Sequence, residues 1–150
     1  MNITASYKAI EARKFGSGTS GQTIQISSKS TLTHLTKAEN GLSVGFVFTS
    51  NYEPNIGFIR IEGEIYVAAN PEEANKALKE WESSENKHLP QEMAETVHNS
   101  IISNCMMETA VISREINLPP PFPIPHVQLG KEQTVQPAEI VNSDATRYIQ

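Results

Sequence analysis

The segment from Leu118 to Val127 constrains this chain most, because it reads Leu-Pro-Pro-Pro-Phe-Pro-Ile-Pro-His-Val and holds five of the nine prolines. Proline fixes φ near the polyproline II value and removes a backbone donor, so this segment can be neither a helix nor a central strand. Phe122 and Ile124 are interleaved with the prolines, which is not typical of a solvated linker. We therefore expect an extended, proline-rich strap that lies in a groove, either the protein's own or a partner's.

Length, charge and cysteine content narrow the class of protein. The 150 residues fit one domain, and 38% hydrophobic with 19% charged residues is ordinary for a soluble protein. A net charge of −5 without a basic stripe argues against nucleic-acid binding. No apolar run is long enough to span a membrane, and the first residues lack the pattern of a signal peptide. With Cys105 as the only cysteine, these features predict a soluble cytoplasmic protein.

Four strands are predicted in the first half of the chain. Apolar and polar residues alternate from residue 3 to about 15, and Thr23 to Leu35 forms a second strand with a bulge expected near Ser28-Lys29. Asn40-Gly41 is a strong hairpin signal, because both residues tolerate positive φ. Two clear strands follow, over residues 42–48 and 57–69. The sequence thus favours an antiparallel sheet with one packed and one wet face.

Parity divides the last strand into two unlike faces. Ile59, Ile61, Ile65 and Val67 fall on one face, and Phe58, Arg60, Glu62, Glu64 and Tyr66 fall on the other. Gly63 shares the parity of the isoleucines, which predicts a bulge or a close approach by another backbone.

Two helices are predicted after the sheet. Asn70 is a good N-cap, Pro71 suits the first helical position and Glu73 completes a capping-box-like arrangement. A longer helix is expected from about Pro90 to Arg114, and its broad apolar stripe suggests burial on more than one side. The fold class is therefore α+β: a four-stranded antiparallel sheet, two helices and an extended strap. Residues 1–129 form the domain, and residues 130–150 form a polar, flexible tail.

Candidate chemistry is sparse. The four histidines show no metal-ligand spacing, so no metal site and no cofactor is expected. Cys105 lies at mid-helix between Asn104 and Met106 and reads as a core residue rather than a nucleophile. An enzyme would need Glu62 or Glu64 to converge with His98 or His126, and a solvated sheet face is the stronger interpretation. We expect no catalytic residues.

The order of elements resembles the SecB family of export chaperones over roughly residues 3 to 127. That family has a proline-containing start of the long helix and a Leu-Asn-Leu-Ala-Pro segment behind the helix. Here the corresponding residues are Leu89-Pro90 and Ile116-Asn117-Leu118-Pro119-Pro120, which keep the Asn-Leu pair and the following proline. The chain also looks like a group of uncharacterised archaeal proteins thought to share that fold.

The chain departs from the bacterial pattern at two places. The family's Ala-Arg-Glu falls on Val97-His98-Asn99, and Glu108 to Arg114 contains no glycine where the family breaks its helix with Arg-Gly. The resemblance therefore speaks to the fold more than to docking on a translocase motor.

The resemblance implies a non-catalytic binding protein that holds unfolded or extended apolar polypeptide in a groove and assembles as a homo-oligomer, a dimer or tetramer. The implied groove lining is Phe46, Phe48, Phe58, Tyr66, Trp81, Phe122 and Ile124. The alternative is an interaction or scaffold subunit of a larger cytoplasmic assembly, with the strap and the acidic tail docking on a partner.

Overall fold

A computed structural model describes residues 2–16, 23–122, 126–128 and 139–141 of the chain. Its elements are β1 (Ile3–Lys14), β2 (Gln25–Ala38), β3 (Gly41–Glu53), β4 (Gly57–Ala68), α1 (Pro71–Ser83), α2 (Gln91–Glu115), β5 (His126–Gln128) and β6 (Glu139–Val141). The first four strands form one sheet in the order β1-β4-β3-β2, with every neighbouring pair antiparallel. The predicted α+β class, a four-stranded antiparallel sheet followed by two helices, is confirmed.

A second, two-stranded sheet follows the helices along the chain. His126–Gln128 pairs in antiparallel fashion with Glu139–Val141. The polar stretch from residue 130 gave no periodic signal for Glu139–Val141, which lies within the predicted flexible tail. The other residues of the predicted tail lie outside the described ranges.

Both helices pack on one face of the sheet, and the main core lies between these two layers. That face is formed by the apolar positions that alternation along the strands predicted. They are fully or almost fully buried: Leu42, Val44, Phe46, Phe48, Ile61, Ile65 and Val67. The opposite face carries Arg60, Glu62, Glu64 and Tyr66 of β4, and the described part of the chain places no helix there. We call it the open face.

The capping signals at the start of α1 are confirmed. The Asn70 Oδ1 atom accepts a hydrogen bond from the Glu73 backbone N–H at 2.8 Å, and the Asn70 amide donates to the Glu73 carboxylate at 3.2 Å. One backbone N–H that a helix start would leave unpaired is thereby satisfied, and the bond between the two side chains holds the cap in place. The cap fixes where the chain leaves the sheet, and Ala77 and Trp81 then reach the core.

The prediction that α2 is buried on more than one side is wrong. Its buried positions form a single row at four-residue spacing: Met93, Val97, Ile101, Cys105, Thr109 and Ser113. Ile102, Met107 and Val111 belong to the same apolar pattern but face solvent. The stripe is broad because one side packs on the sheet, and the described residues leave another apolar side uncovered.

Two bulges keep the apolar residues of the edge strands on the packed face. In β2 the register shifts between Leu32 and His34, at Thr33, rather than at the expected Ser28-Lys29. In β1 it shifts between Tyr7 and Ala9, at Lys8. Each bulge inserts one residue and so reverses the parity of the rest of the strand. As a result, Leu32 and Leu35, three residues apart, both point toward the helices.

Gly63 lies where another backbone approaches closely, as the sequence predicts. A methyl group at this position would collide with the carbonyl oxygen of Ser6 in β1 and would lie 3.0 Å from the ring of Phe46. The glycine therefore lets β1 and the core aromatic ring close on β4 at the same point.

We predict that Gly63→Ala lowers the free energy of unfolding by about 1–3 kcal/mol, the usual cost of forcing extra volume into a packed site. Urea denaturation of the purified protein measures this loss. Gly16→Ala is the matched control, because a methyl group there has no neighbouring atom within 4 Å. Equal stability of Gly63→Ala and the unmodified protein would contradict the close approach.

Candidate functional site

The residues expected to line one groove are divided between two faces of the sheet. Phe46, Phe48 and Trp81 are buried in the main core beneath the helices and present almost no surface to a ligand. Phe58 lies on the open face, because neighbouring side chains of a strand point to opposite sides. The expected groove is not formed by these side chains.

The remaining members of the expected groove are also apart. Tyr66 shares the open face with Phe58 but lies eight residues along β4, a distance of roughly 26 Å at the usual strand rise. Phe122 is half-buried at the start of the strap, and Ile124 lies outside the described residues. Strand parity separated the two faces correctly but could not show which one the helices cover.

The strap begins in a groove of the protein itself. Asn117 takes a left-handed φ of 56°, and the backbone N–H of Leu118 donates to the Ser113 carbonyl at 2.8 Å, which ends α2 in a Schellman turn. Leu118 is then buried in a second, smaller core. The other buried members of this core are Ile24, Tyr52, Ile56 and Ile59.

A partly buried hydrogen bond fastens the strap to β3. The Tyr52 hydroxyl donates to the Pro119 carbonyl at 2.7 Å, and burial raises the pKa of this tyrosine. From the last residue of β1, the Lys14 ammonium donates to the Asn117 carbonyl at 3.3 Å. Of the two grooves that the sequence left open, Leu118–Phe122 therefore lies in the protein's own.

We expect Tyr52→Phe to destabilise the protein by about 1–3 kcal/mol, because the Pro119 carbonyl would be left without its buried donor. Tyr66→Phe is the control, since the Tyr66 hydroxyl donates to carbonyls of the exposed turn at Glu39 and Asn40. Urea denaturation should show a clearly smaller loss for Tyr66→Phe. Equal losses would mean that the strap adds no stability through this bond.

Three strands bring ionic groups together on the open face. The Lys8 ammonium of β1 lies 3.0 Å from Oε1 of Glu64 in β4, and Nε2 of His34 in β2 lies 3.2 Å from the same oxygen. Both edge residues owe their placement to the bulges, since Lys8 is the inserted residue of β1 and His34 follows Thr33. This shared carboxylate links the two edges of the sheet.

Gly45 makes room for the imidazole ring in this cluster. It lies opposite His34 on β3, and a methyl group there would collide with the His34 ring and with the Thr33 hydroxyl. The ring crosses β3 at this position and reaches Glu64 on the next strand. Sequence inspection missed His34 because the bulge at Thr33 changes its parity; the three-residue spacing of Leu32 and Leu35 was the available signal.

The cluster favours a charged Glu64. Hydrogen bonds from Lys8, and then from His34, lower the pKa of the Glu64 carboxyl from its ordinary value. Neighbouring charges on the open face are also paired, Arg60 with Glu62 and Arg13 with Glu11. A carboxylate held in its ionised form accepts hydrogen bonds but is a poor proton donor at neutral pH.

The acid–base combination considered from sequence does not assemble around His98. Glu62 and Glu64 lie on the open face, whereas His98 belongs to α2 and its Nδ1 atom lies 2.6 Å from the Ser30 hydroxyl. The side chain of His126 lies outside the described part of the structure. Of the pairs considered, those with His98 are therefore excluded by geometry.

Cys105 is a core residue, as the sequence predicts. It is fully buried in the row of α2 that contacts the sheet. Burial, with a smaller contribution from the nearby Glu108, raises the pKa of its thiol to about 12. A thiol that stays protonated is a poor nucleophile.

The open face deepens into a cleft of about 530 Å³ beside the β3–β4 turn. Phe15 and Phe58 contribute aromatic rings to its wall, with ring centroids 5.8 Å apart. Glu53, Asn51 and Asn55 contribute a carboxylate and two amides. Phe15 is 53% exposed, so this cleft offers aromatic surface to a ligand.

Further large apolar side chains are exposed on the other side of the sheet, on β1 and on α2. Ile10 points toward the helix side of β1 and is 47% exposed. Helix α2 contacts β1, and it exposes Ile102 by 40%, Met107 by 71% and Val111 by 57%. We call Ile10, Ile102, Met107 and Val111 the apolar edge surface.

Within the described ranges, no group of three or more histidine, cysteine, aspartate or glutamate side chains is arranged to hold a metal ion. Nor does any helix of residues 2–16, 23–122, 126–128 or 139–141 have the length and hydropathy to cross a membrane.

Comparison with known proteins found no matching family model, no matching curated protein and no matching solved structure.

We predict that Lys8→Met raises the pKa of Glu64 toward 4.5, its ordinary value, because the strongest stabilising bond to the carboxylate is lost. NMR titration of the Glu64 carboxyl measures the change. A pKa lowered by folding adds stability above the unfolded-state pKa, and this stability disappears as pH falls through the folded-state pKa. The stability difference between the two proteins should therefore be present at neutral pH and shrink in acid.

Lys29→Met is the control for this titration. Lys29 is exposed on β2 opposite Thr49. Its substitution therefore removes the same charge without touching the cluster. An equal pKa change at Glu64 in both variants would show that net charge, rather than the Lys8 contact, sets this pKa.

Proposed function

We propose that this protein is a non-catalytic binding protein, a SecB-like chaperone or adaptor that holds extended apolar polypeptide. The observation that carries the proposal is the apolar edge surface, in which the edge strand β1 and the helix α2 leave four large apolar side chains exposed. Large apolar side chains that stay exposed can form part of a surface that binds other chains.

The backbone of β1 favours an extended ligand. Within the described residues β1 pairs with β4 alone, so its other side presents unpaired N–H and C=O groups. An extended peptide can add to such an edge through main-chain hydrogen bonds. The bulge at Lys8 interrupts the edge, which limits pairing to short stretches on either side. Side-chain contacts must then supply most of the affinity.

Those side-chain contacts would come from the apolar edge surface rather than from the aromatic set expected from sequence. A peptide added to β1 places alternate side chains on the helix side of the sheet, next to Ile10. Met107 and Val111 of α2 offer further apolar contact on that side of the sheet. The proposal thus keeps the SecB-like function and moves the binding surface.

The strap argues against the alternative of a scaffold subunit that docks through it. Leu118 and Pro121 are buried, and the Pro119 carbonyl is bonded to Tyr52. Those residues already contact other parts of the same protein and are not free to bind a partner. Assembly as a dimer or tetramer and a cytoplasmic location stay predictions from the sequence.

The test is suppression of aggregation. We expect the protein, at a stoichiometric ratio, to suppress light scattering by a chemically unfolded client after dilution. The double variant Ile10→Asp, Met107→Asp should bind the client at least about tenfold more weakly, because each buried apolar side chain contributes roughly 1.5–3 kcal/mol. Both replaced side chains are already exposed, so thermal unfolding should change little.

The matched control is Thr31→Asp, Thr36→Asp, which adds the same charge at exposed positions of the opposite edge strand β2. This control should suppress aggregation as well as the unmodified protein does. The proposal fails if the unmodified protein gives no suppression, or if both double variants lose it equally.

A further inference from the structure

We propose that the cleft beside the β3–β4 turn binds a small organic cation, an ammonium group carried on an apolar body. The cleft lies at the end of the open face, apart from the apolar edge surface on the helix side. Its volume of about 530 Å³ falls within the usual range for small-molecule sites. The proposal goes beyond polypeptide binding and does not depend on it.

The aromatic walls supply the first argument. The Phe15 and Phe58 rings are tilted by 44° to each other, so they do not stack face to face and close the space. The face of a phenylalanine ring carries negative electrostatic potential and attracts a cation that lies over it. More than half of the Phe15 side chain faces solvent although it is large and apolar, so a bound apolar body would shield it.

Charge supplies the second argument. Among the described residues that line the cleft, Glu53 is the only aspartate, glutamate, lysine, arginine or histidine. Three cationic side chains within two residues of Phe15 or Phe58 have partners of their own: Arg13 with Glu11, Arg60 with Glu62, and Lys14 with the Asn117 carbonyl. Residues 17–22, which connect Phe15-Gly16 to Thr23, contain no charged residue. The lining thus combines one carboxylate, aromatic faces and amide side chains, and this set favours a cation over an anion.

Backbone contacts hold the walls in place. The Phe15 N–H donates to the Ile56 carbonyl at 2.8 Å, and the Ile56 N–H donates to the Tyr52 carbonyl at 3.0 Å. Gly57 permits this arrangement, because a methyl group there would collide with the Arg13 carbonyl. The two aromatic rings are therefore positioned by strand ends and a closed turn, and the cleft is formed before any ligand binds.

The test compares a cation with its uncharged isostere. Choline is titrated into the full-length protein while backbone amide chemical shifts are followed. We expect saturable shifts centred on Phe15, Asn55 and Phe58. The uncharged isostere is 3,3-dimethylbutan-1-ol (dimethylbutanol), in which a tert-butyl group replaces the trimethylammonium group of choline. Because it lacks the charge, it should shift the same amides only at much higher concentration.

Two variants separate the contributions. Glu53→Gln removes the carboxylate and Phe58→Leu removes one aromatic face while keeping an apolar side chain. Each should raise the Kd for choline by roughly two- to fivefold, the effect expected for a cation–π or carboxylate contact at an exposed site. Glu39→Gln is the control, since it removes the same charge at the β2–β3 turn, at the opposite end of the sheet. It should leave the Kd unchanged.

Three outcomes would overturn the proposal. The first is the absence of saturable shifts at the cleft. The second is equal affinity for choline and dimethylbutanol, which would mean that the cleft recognises only apolar bulk. The third is an equal rise in Kd for Glu39→Gln and Glu53→Gln, which would mean that net charge alone attracts the cation.

Discussion

The packing of α2 against one face of the sheet is the interaction on which the rest of the structure depends. The buried row of the helix runs at four-residue spacing from Met93 to Ser113 and meets the apolar positions of the two central strands. Val97 and Ile101 are fully buried there, and each such side chain contributes roughly 1.5–3 kcal/mol. Because this contact covers one face only, it leaves the other face to solvent. It also carries the end of α2 to the point where the strap enters the second core. The cleft, the ionic cluster and the apolar edge surface all follow from that one-sided cover.

The edges of the sheet are where this protein departs from regular geometry. A regular edge strand is a liability, because its unpaired backbone groups can template aggregation. Here each edge carries a bulge, and the bulges direct Lys8 and His34 toward one carboxylate on the open face. The same irregularities thus interrupt the edges and place charges over the middle of the sheet. The exposed apolar residues lie on β1 and on α2, and the bulge at Lys8 divides the unpaired edge of β1 into two short stretches. A binding function at that edge is compatible with this protection, since short stretches can pair with a ligand while long ones cannot.

Much of the fold could be predicted because its signals are local. Alternation identified the packed face of β3 and β4, Asn40-Gly41 placed the hairpin, and Asn70 placed the start of α1. The candidate site could not be predicted in the same way. Its position depends on which face the helices cover, and periodicity along one strand carries no such information. The bulge at Thr33 was misplaced because Ser and Thr fill that strand and leave few apolar residues to reveal parity. The broad stripe of α2 was misread because a buried apolar side and an exposed one look alike in sequence.

The two bulges also determine how the length of this chain can change. On either side of Thr33, apolar residues occupy positions of opposite parity, and the inserted residue reconciles them. Loss of that one residue would turn either the first half of β2 or Leu35 away from the core, whatever side chain is removed. The strand register therefore needs a residue at positions 8 and 33 more than it needs a particular side chain there. Insertions and deletions are tolerated in most surface strands only at their ends, and in this sheet the restriction extends to the middle of both edges. A single-residue deletion at either bulge would turn the side chains of the whole remaining strand to the opposite face of the sheet.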